Sequence, residues 1–281
     1  MRGQPSTTKP LAILAAPAIL LVCGELAAQT MIPLDQQRMV STFLIVPQCL
    51  GKTADVDSAE GFDPFDSAVE TVLGCDSGFG FGSGSQQSQI GASSLTAIGS
   101  GSSQADGPVP NIIHAFGDSF FMVTFELPSA SNYALDGLIS AASSKDPFIF
   151  AGATILLRDS ANKVLFIHSV EPGPGGEPNS QVIEKTGALQ AGVYTLQADA
   201  GSFIDNDVPP LLSGEASFDF TFQISVVGDL DSDGTVGILD LLILLSSWGP
   251  CPDPPEPCPA DLDDDGEVAV LDLLILLANW G

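Results

Sequence analysis

Between Gln89 and Val226 the chain alternates apolar and polar residues in short runs broken by turn residues. Phe218, Phe220, Phe222 and Ile224 fall at every second position, so an extended backbone places them on one face. Phe121, Val123 and Phe125 repeat the pattern, and Val193 and Thr195 continue it more weakly. The predicted strands are Ser119–Leu127, Tyr133–Ala141, Phe148–Arg158, Val164–Ser169, Gly192–Ala198 and Ala216–Val226. Turns are expected at Asp159–Asn162, Pro172–Gly176 and Asn206–Pro210. Short strands at this spacing, with no helical stretch between them, predict a mainly β protein: an antiparallel, jelly-roll-like sandwich with Phe-rich core faces.

Ahead of that region the pattern is less regular. Arg2 and Lys9 flank the apolar run Leu11 to Val22, and small residues follow at Leu26-Ala27-Ala28, which predicts a signal peptide over 1–28. The run is too short to span a bilayer, and no later stretch predicts a membrane span in the mature chain. Lipid attachment at Cys23 is disfavoured by Val22, where a small residue is needed. Residues 29–88 read as an irregular N-terminal region containing one buried strand at Met39–Val46 and an acidic loop at Lys52–Asp66. Gly74–Ser88 is rich in Gly and Ser and reads as flexible, with Phe79 and Phe81 covering a neighbouring sheet in preference to stacking on a ligand. The sandwich is assigned to 89–227 and a separate unit to 228–281.

In that last unit the period becomes helical. Leu-Leu-Ile-Leu-Leu occurs at 241–245 and again at 273–277, and each copy runs on to Trp-Gly, at Trp248-Gly249 and Trp280-Gly281. Each copy follows a twelve-residue block with Asp at positions 1, 3 and 5, Gly at 6 and Asp at 12, the pattern of a calcium loop. Calcium takes six to eight oxygen ligands in flexible geometry, which carboxylates at alternate loop positions supply. The expected ligands are Asp229, Asp231, Asp233, the Thr235 carbonyl and Asp240 for one ion, and Asp261, Asp263, Asp265, the Glu267 carbonyl and Asp272 for a second. Gly237 and Ala269 at position 9 have no ligand to give, so water is expected there. Val236 and Val268 at position 8 are expected to meet if the loops pair. Apolar residues at 238, 239, 241–245 and 248 cover more than half of the first helix, where a surface helix needs one stripe. Burial against the twin helix is expected to absorb most of that excess, with the sandwich or a partner taking the rest.

An EF-hand needs an entering helix, and neither loop has one. Phe222–Val227 reads as strand, and Cys251–Pro259 carries five prolines in nine residues. A loop with only its exiting helix, duplicated in tandem with Asp at position 12 from Gly228 to Gly281, resembles a type I dockerin domain. The resemblance implies a small all-α, calcium-dependent fold holding two Ca2+ ions and docking onto a cohesin-like or cell-surface protein, in families that assemble plant-polysaccharide-degrading enzymes. Positions 10 and 11, often Ser-Thr in dockerins that bind cohesin, are Ile238-Leu239 and Val270-Leu271 here, and the helices lack the basic residues that often accompany that contact. The middle region resembles the β-sandwich domains of the pre-peptidase C-terminal type. Phe120–Glu126, Thr154–Phe166 and Leu189-Gln-Ala-Gly-Val-Tyr-Thr-Leu196 carry that likeness, Gly192 turning the chain into a strand on which Tyr194 and Leu196 share a face.

Composition narrows the function. With 8 basic and 35 acidic side chains among 281 residues the net charge is −27, which argues against nucleic acid or anionic membrane as a partner. No Lys or Arg occurs from Gly228 onward. Without Cys23 four cysteines remain, and an even count in an exported chain predicts two disulfides, proximity favouring Cys49–Cys75 and Cys251–Cys258 among the three pairings. No nucleophile elbow, P-loop, dinucleotide fingerprint or zinc-protease motif is present, and His114 and His168 read as structural. Spacing alone does not reveal a glycosidase carboxylate pair; Glu126 is one such residue to check. The expectation is therefore an exported, non-catalytic protein with a calcium-stabilised docking module. The alternatives are a polysaccharide-binding or polysaccharide-degrading component of an extracellular assembly, and a purely structural surface protein.

Overall fold

A computed structural model describes residues 31–76, 78–107, 113–144, 149–206, 211–231, 233–252, 258–263 and 265–281. The expected signal peptide at 1–28, residues 207–210 of an expected turn and residues 253–257 of the proline-rich link lie outside the described residues. The long strands are β1 Ile32–Val46, β2 Gly51–Ser58, β3 Phe65–Cys75, β4 Gly78–Ile90, β5 Ser94–Asp106 and β6 Ile113–Leu127. They continue as β7 Ser131–Ser143, β8 Ile149–Asp159, β9 Val164–Val170, β10 Asn179–Leu189, β11 Gly192–Asn206 and β12 Leu212–Val226. The tail adds α1 Ile238–Ser246, α2 Val270–Ala278 and the two-residue strands β13 Gly249–Pro250 and β14 Glu267–Val268. Among the described residues no helix is long and apolar enough to cross a membrane.

The long strands form two antiparallel sheets, ordered β2-β1-β6-β11-β8-β9 and β10-β7-β12-β5-β4-β3. Strands β5 to β12 are wound as a jelly roll: β5-β12-β7-β10 faces β6-β11-β8-β9, and every connection except β8–β9 crosses between the sheets. The β1–β2 hairpin widens one sheet and the β3–β4 hairpin the other. All six predicted strands are present, most of them longer than predicted. The Phe-rich alternating faces are interior, with Phe218, Phe220, Phe222, Phe121, Val123 and Phe125 essentially without exposure, whereas Val193 and Thr195 lie on the outer face of β11. Around Gly192 the chain turns as expected: Tyr194 and Leu196 are buried, and the Tyr194 hydroxyl donates to the Gln190 carbonyl at 2.9 Å.

The described residues of the expected irregular region 29–88 are mostly strand: they supply β1 to β3 and nearly all of β4, which extend both sheets. The predicted loop at Lys52–Asp66 contains β2, and the expected flexible stretch Gly74–Ser88 is largely β4. Strands β5 and β10 also lack any counterpart among the predicted strands. The reason is packing. Sheets ordinarily stack about 10 Å apart, filled by side chains. Here a waist brings them to backbone contact: a Cβ on Gly82 would run into the carbonyl oxygen of Phe116, on Gly84 into that of Asp118, and on Gly101 into that of Gly117. Gly117 is equally closed by the carbonyls of Ser83 and Ser102. Small residues are required on the inner faces of β4 and β5, so those strands show no apolar alternation to read.

The waist separates two apolar clusters. The larger holds the phenylalanines above; the smaller gathers Leu44, Val46, Ala105, Ile113, Ala115, Ile149, Ile204 and Leu212. Buried polar groups at the waist pair with one another, as Ser103 does with Ser202 at 2.6 Å and Gln86 with the Phe120 carbonyl at 2.8 Å. At one edge Arg38, 1% exposed, donates to Gln36, Ser88 and the carbonyls of Gly61 and Asp63, tying the 59–64 loop to the sandwich. Both favoured disulfides are formed. Cys49–Cys75 closes 26 residues and Cys251–Cys258 closes 7, which chain entropy values at about 3.5 and 2.4 kcal/mol.

Candidate metal centre

The tail begins at the end of β12, where Val226 packs against a small core of Val236, Leu244, Ala260, Val268 and Leu276. Gly228 turns the chain with φ +93°, and a Cβ there would approach Leu276 Cα to 3.3 Å. Neither loop follows a helix among the described residues; each leads into a nine-residue one.

Within each loop the aspartates hold the backbone by accepting its N–H groups. Asp229 accepts from Asp233 at 3.1 Å and Gly234 at 2.9 Å. Asp231 accepts from Asp233 at 3.2 Å, while Asp233 turns its own carboxylate to the N–H and hydroxyl of Thr235. The second loop repeats the arrangement: Asp261 accepts from Asp265 and Gly266, Asp263 from Asp265, and Asp265 from Glu267. The bends at Gly234 and Gly266 have φ +91° and +93°, open to glycine and strained for other residues.

Position 12 is the most enclosed. Asp240 and Asp272 are each 1% exposed. One oxygen of Asp240 accepts from Leu230 and Asp231, and the other from Gly237, the residue that caps α1; Asp272 does the same with Leu262, Asp263 and Ala269. Burial raises both carboxyls, but the converging N–H groups outweigh it and hold them below the ordinary range. Asp229 is raised by burial, reinforced by the charges of Asp240 and Asp233. Asp263 is raised by desolvation and by Asp265 and Asp272.

Oxygens of Asp229, Asp231 and Asp240 lie within 4.8 Å of one another, as do those of Asp261, Asp263 and Asp265. Asp233 and Asp272 stand beside these groups. Cys251 and Cys258 lie against Asp261, but their sulfurs are joined in the disulfide and offer no thiolate. The donor set is all oxygen and all acidic, in a segment without Lys or Arg, which fits a hard divalent cation.

Among the described residues the two loops show no pairing with each other. Val236 and Val268 share one core, yet Val268 pairs with Gly249, and Gly281 donates its N–H to the Val236 carbonyl at 3.1 Å. Each Trp-Gly ending is thus bonded to the position-8 residue of the other repeat, and Gly249 reaches its partner at φ +121°.

The helices do not bury each other as expected. Only Asp240 and Leu244 in α1, and Asp272 and Leu276 in α2, are buried. Ile238, Leu239, Leu242, Leu245 and Trp248 form an exposed stripe, with Val270, Leu271, Leu274, Leu277 and Trp280 as its twin. A nine-residue helix is too narrow to turn so many apolar residues onto one small core.

The two histidines sit elsewhere in the sandwich. His114 on β6 pairs with Asp205 at 3.1 Å and stacks on Phe203; His168 on β9 bonds Gln181 at 3.0 Å. Phe79 and Phe81 lie half-buried on the outer face of β4.

No protein-family model matches the chain, and no curated protein does. Among solved structures, a tailspike protein of bacteriophage CBA120 is 10% identical over 56% of this chain, with a TM-score of 0.22. A structure of infectious bursal disease virus, Gx strain, is 10% identical over 80% with a TM-score of 0.25, and an arabinose-bound α-L-arabinofuranosidase 14% identical over 59% with a TM-score of 0.21. The matches span 19%, 55% and 27% of those chains. At these scores none of them bears on function.

Proposed function

We propose that this is an exported, non-catalytic protein whose C-terminal repeats bind two calcium ions and present their helices to another protein, in solution or at a cell surface. The observation that carries this reading is the duplicated exposed stripe, Ile238, Leu239, Leu242, Leu245 and Trp248 beside Val270, Leu271, Leu274, Leu277 and Trp280, each adjoining a loop of convergent carboxylates. Apolar patches of this kind mark contact surfaces on soluble proteins.

Asp229, Asp231, Asp233, the Thr235 carbonyl and Asp240 would hold one ion, and Asp261, Asp263, Asp265, the Glu267 carbonyl and Asp272 the other. Bound calcium supplies positive charge that offsets the mutual repulsion of these carboxylates. Asp240 and Asp272 act twice, closing a loop and capping a helix. The dockerin-like arrangement supports docking as the output. The apolar pairs Ile238-Leu239 and Val270-Leu271 point to a partner face more hydrophobic than the cohesin contact of dockerins with Ser-Thr there. Export is supported by the apolar segment before Ala28 and by the two disulfides.

The chain's two tryptophans, Trp248 and Trp280, both lie in the tail, so their fluorescence reports the repeats within the intact protein. Millimolar calcium is expected to shift their emission and raise the tail's melting temperature relative to EDTA. Replacing Asp229→Ala together with Asp261→Ala should abolish the response. Identical spectra and melting in EDTA and calcium would refute the proposal.

A further inference from the structure

On the outer face of the first sheet, strand register assembles a row of four phenylalanines. Phe43 of β1 pairs with Phe116 of β6, Phe116 with Phe203 of β11, and Phe203 with Phe150 of β8. The row crosses four adjacent strands, roughly 14 Å at the usual strand spacing. Phe150 is 65% exposed and Phe43 37%, while Phe116 and Phe203 are half-buried. Their strand neighbours Leu44, Ala115, Ile204 and Ile149 take the interior positions, so the core does not need these rings.

Two residues along each strand, the next row reads Ser41, Asp118, Gly201 and Gly152, and the row beyond runs from Met39 and Phe120 to the polar Asp199, Thr154 and Ser169. The glycines leave a trough between the rings and the polar row. A Cβ at Gly201 would come within 2.9 Å of an Asp118 carboxylate oxygen. A groove of about 560 Å³ takes in Phe116, Phe150 and Phe203 together with Thr154, Ser169 and Asp199, and extends over the end of β8 to the turn at Glu171–Gly173. Its floor is stiff, because the carbonyls of Phe116 and Asp118 rest on Gly82 and Gly84 at the waist.

We propose that this groove binds an extended neutral polysaccharide, with sugar-ring faces on Phe116, Phe203 and Phe150 and hydroxyls donating to Asp199, whose neighbour Asp118 adds to the negative charge beneath. A sugar ring combines an apolar C–H face with a rim of hydroxyl donors, and the groove offers both complements side by side. Among the described residues neither aspartate has a basic partner, the one ion pair being His114–Asp205, so an anionic polymer is repelled. A second copy of the chain, also at −27, is repelled as well. Carboxylates are spread over the whole acidic chain, so they do not single out this groove for a basic peptide. The ring row does single it out, and a lysine-rich chain has no flat apolar face to cover it.

The test is affinity electrophoresis of the full chain in calcium, through gels containing hydroxyethylcellulose, xylan, galactomannan or no polymer. Retardation by at least one polymer is expected. Phe150→Ala, at an exposed site that folding does not need, and Phe203→Ala should each weaken it about tenfold, and Asp199→Asn should weaken it too. Phe81→Ala, on the other sheet, should leave it unchanged. Migration unaffected by all three polymers overturns the proposal, as does retardation that Phe150→Ala leaves intact. Binding to polylysine that depends on Phe150, without polysaccharide binding, overturns it in favour of a basic peptide.

Discussion

Asp118 stands on the outer face of β6, largely shielded from water and close to Asp199, and among the described residues neither aspartate has a basic partner. Burial, reinforced by Asp199, raises its carboxyl from 3.8 to about 6. The folded chain therefore keeps a proton between about pH 4 and 6 that the unfolded chain has already released. Stability falls as the pH rises through that window and stays lower above it. The effect amounts to about 1–3 kcal/mol at neutral pH. Asp118→Asn keeps the shape and removes the charge. It should raise the melting temperature at about pH 7.5 and flatten the wild-type decline between pH 4 and 6. A variant that melts like the wild type at pH 7.5 would show that solvent already satisfies this carboxylate. Arg38 is the opposite case: burial lowers its pKa, Asp63 raises it, and its donors reach Gln36, Ser88 and two carbonyls. A buried charge is tolerated once its hydrogen bonds are made.

At the scale of the element, the waist decides which strands pack where. Gly117 meets the carbonyls of Ser83 and Ser102, backbone that has no rotamer to move aside, so Gly117→Ala should destabilise by about 3 kcal/mol or more. Gly152→Ala is the contrast, its added methyl meeting only the Val170 carbonyl at an ordinary 3.4 Å, and it should change stability little. Thermal melting of the two variants separates them, and equal losses would mean that the sheets slide apart to admit a methyl. The same waist explains what the sequence concealed. Strands β6, β7, β8, β11 and β12 were legible because Phe, Val, Ile and Leu alternate where the sheets stand a side chain apart. Strand β4 was not: its inner positions Gly80, Gly82 and Gly84 carry no hydrophobicity, and a Gly/Ser run that looks like a flexible linker is one of the most tightly packed segments. The acidic clusters were legible because their carboxylates lie within twelve consecutive residues. Asp118, Asp199 and the phenylalanine row were not, because only strand register brings Phe43 and Phe203 onto one line.

At the scale of the molecule, the tail joins the sandwich through Val226 and is closed by a reciprocal exchange between its halves. The end of the first repeat, Gly249, pairs with Val268 of the second loop, and Gly281 bonds back to Val236 of the first. Neither half is complete alone, so the duplication is a structural requirement of the tail as well as a doubling of its acidic sites. If so, a change outside both loops should be felt at the far one. Gly249 sits at φ +121°, a conformation that costs a β-branched residue about 1–3 kcal/mol, and none of the described residues lies within 4 Å of a Cβ there, so Gly249→Val acts through the backbone. In a Trp248→Phe background the remaining Trp280 reports the second repeat. Gly249→Val should then shift the calcium needed for half of the Trp280 response upward by about fivefold to 150-fold, although every acid of the second loop is intact. An unmoved Trp280 titration would mean that each loop orders itself. A shift would mean that the two exposed helical stripes are set by one cooperative unit, which a partner must meet together.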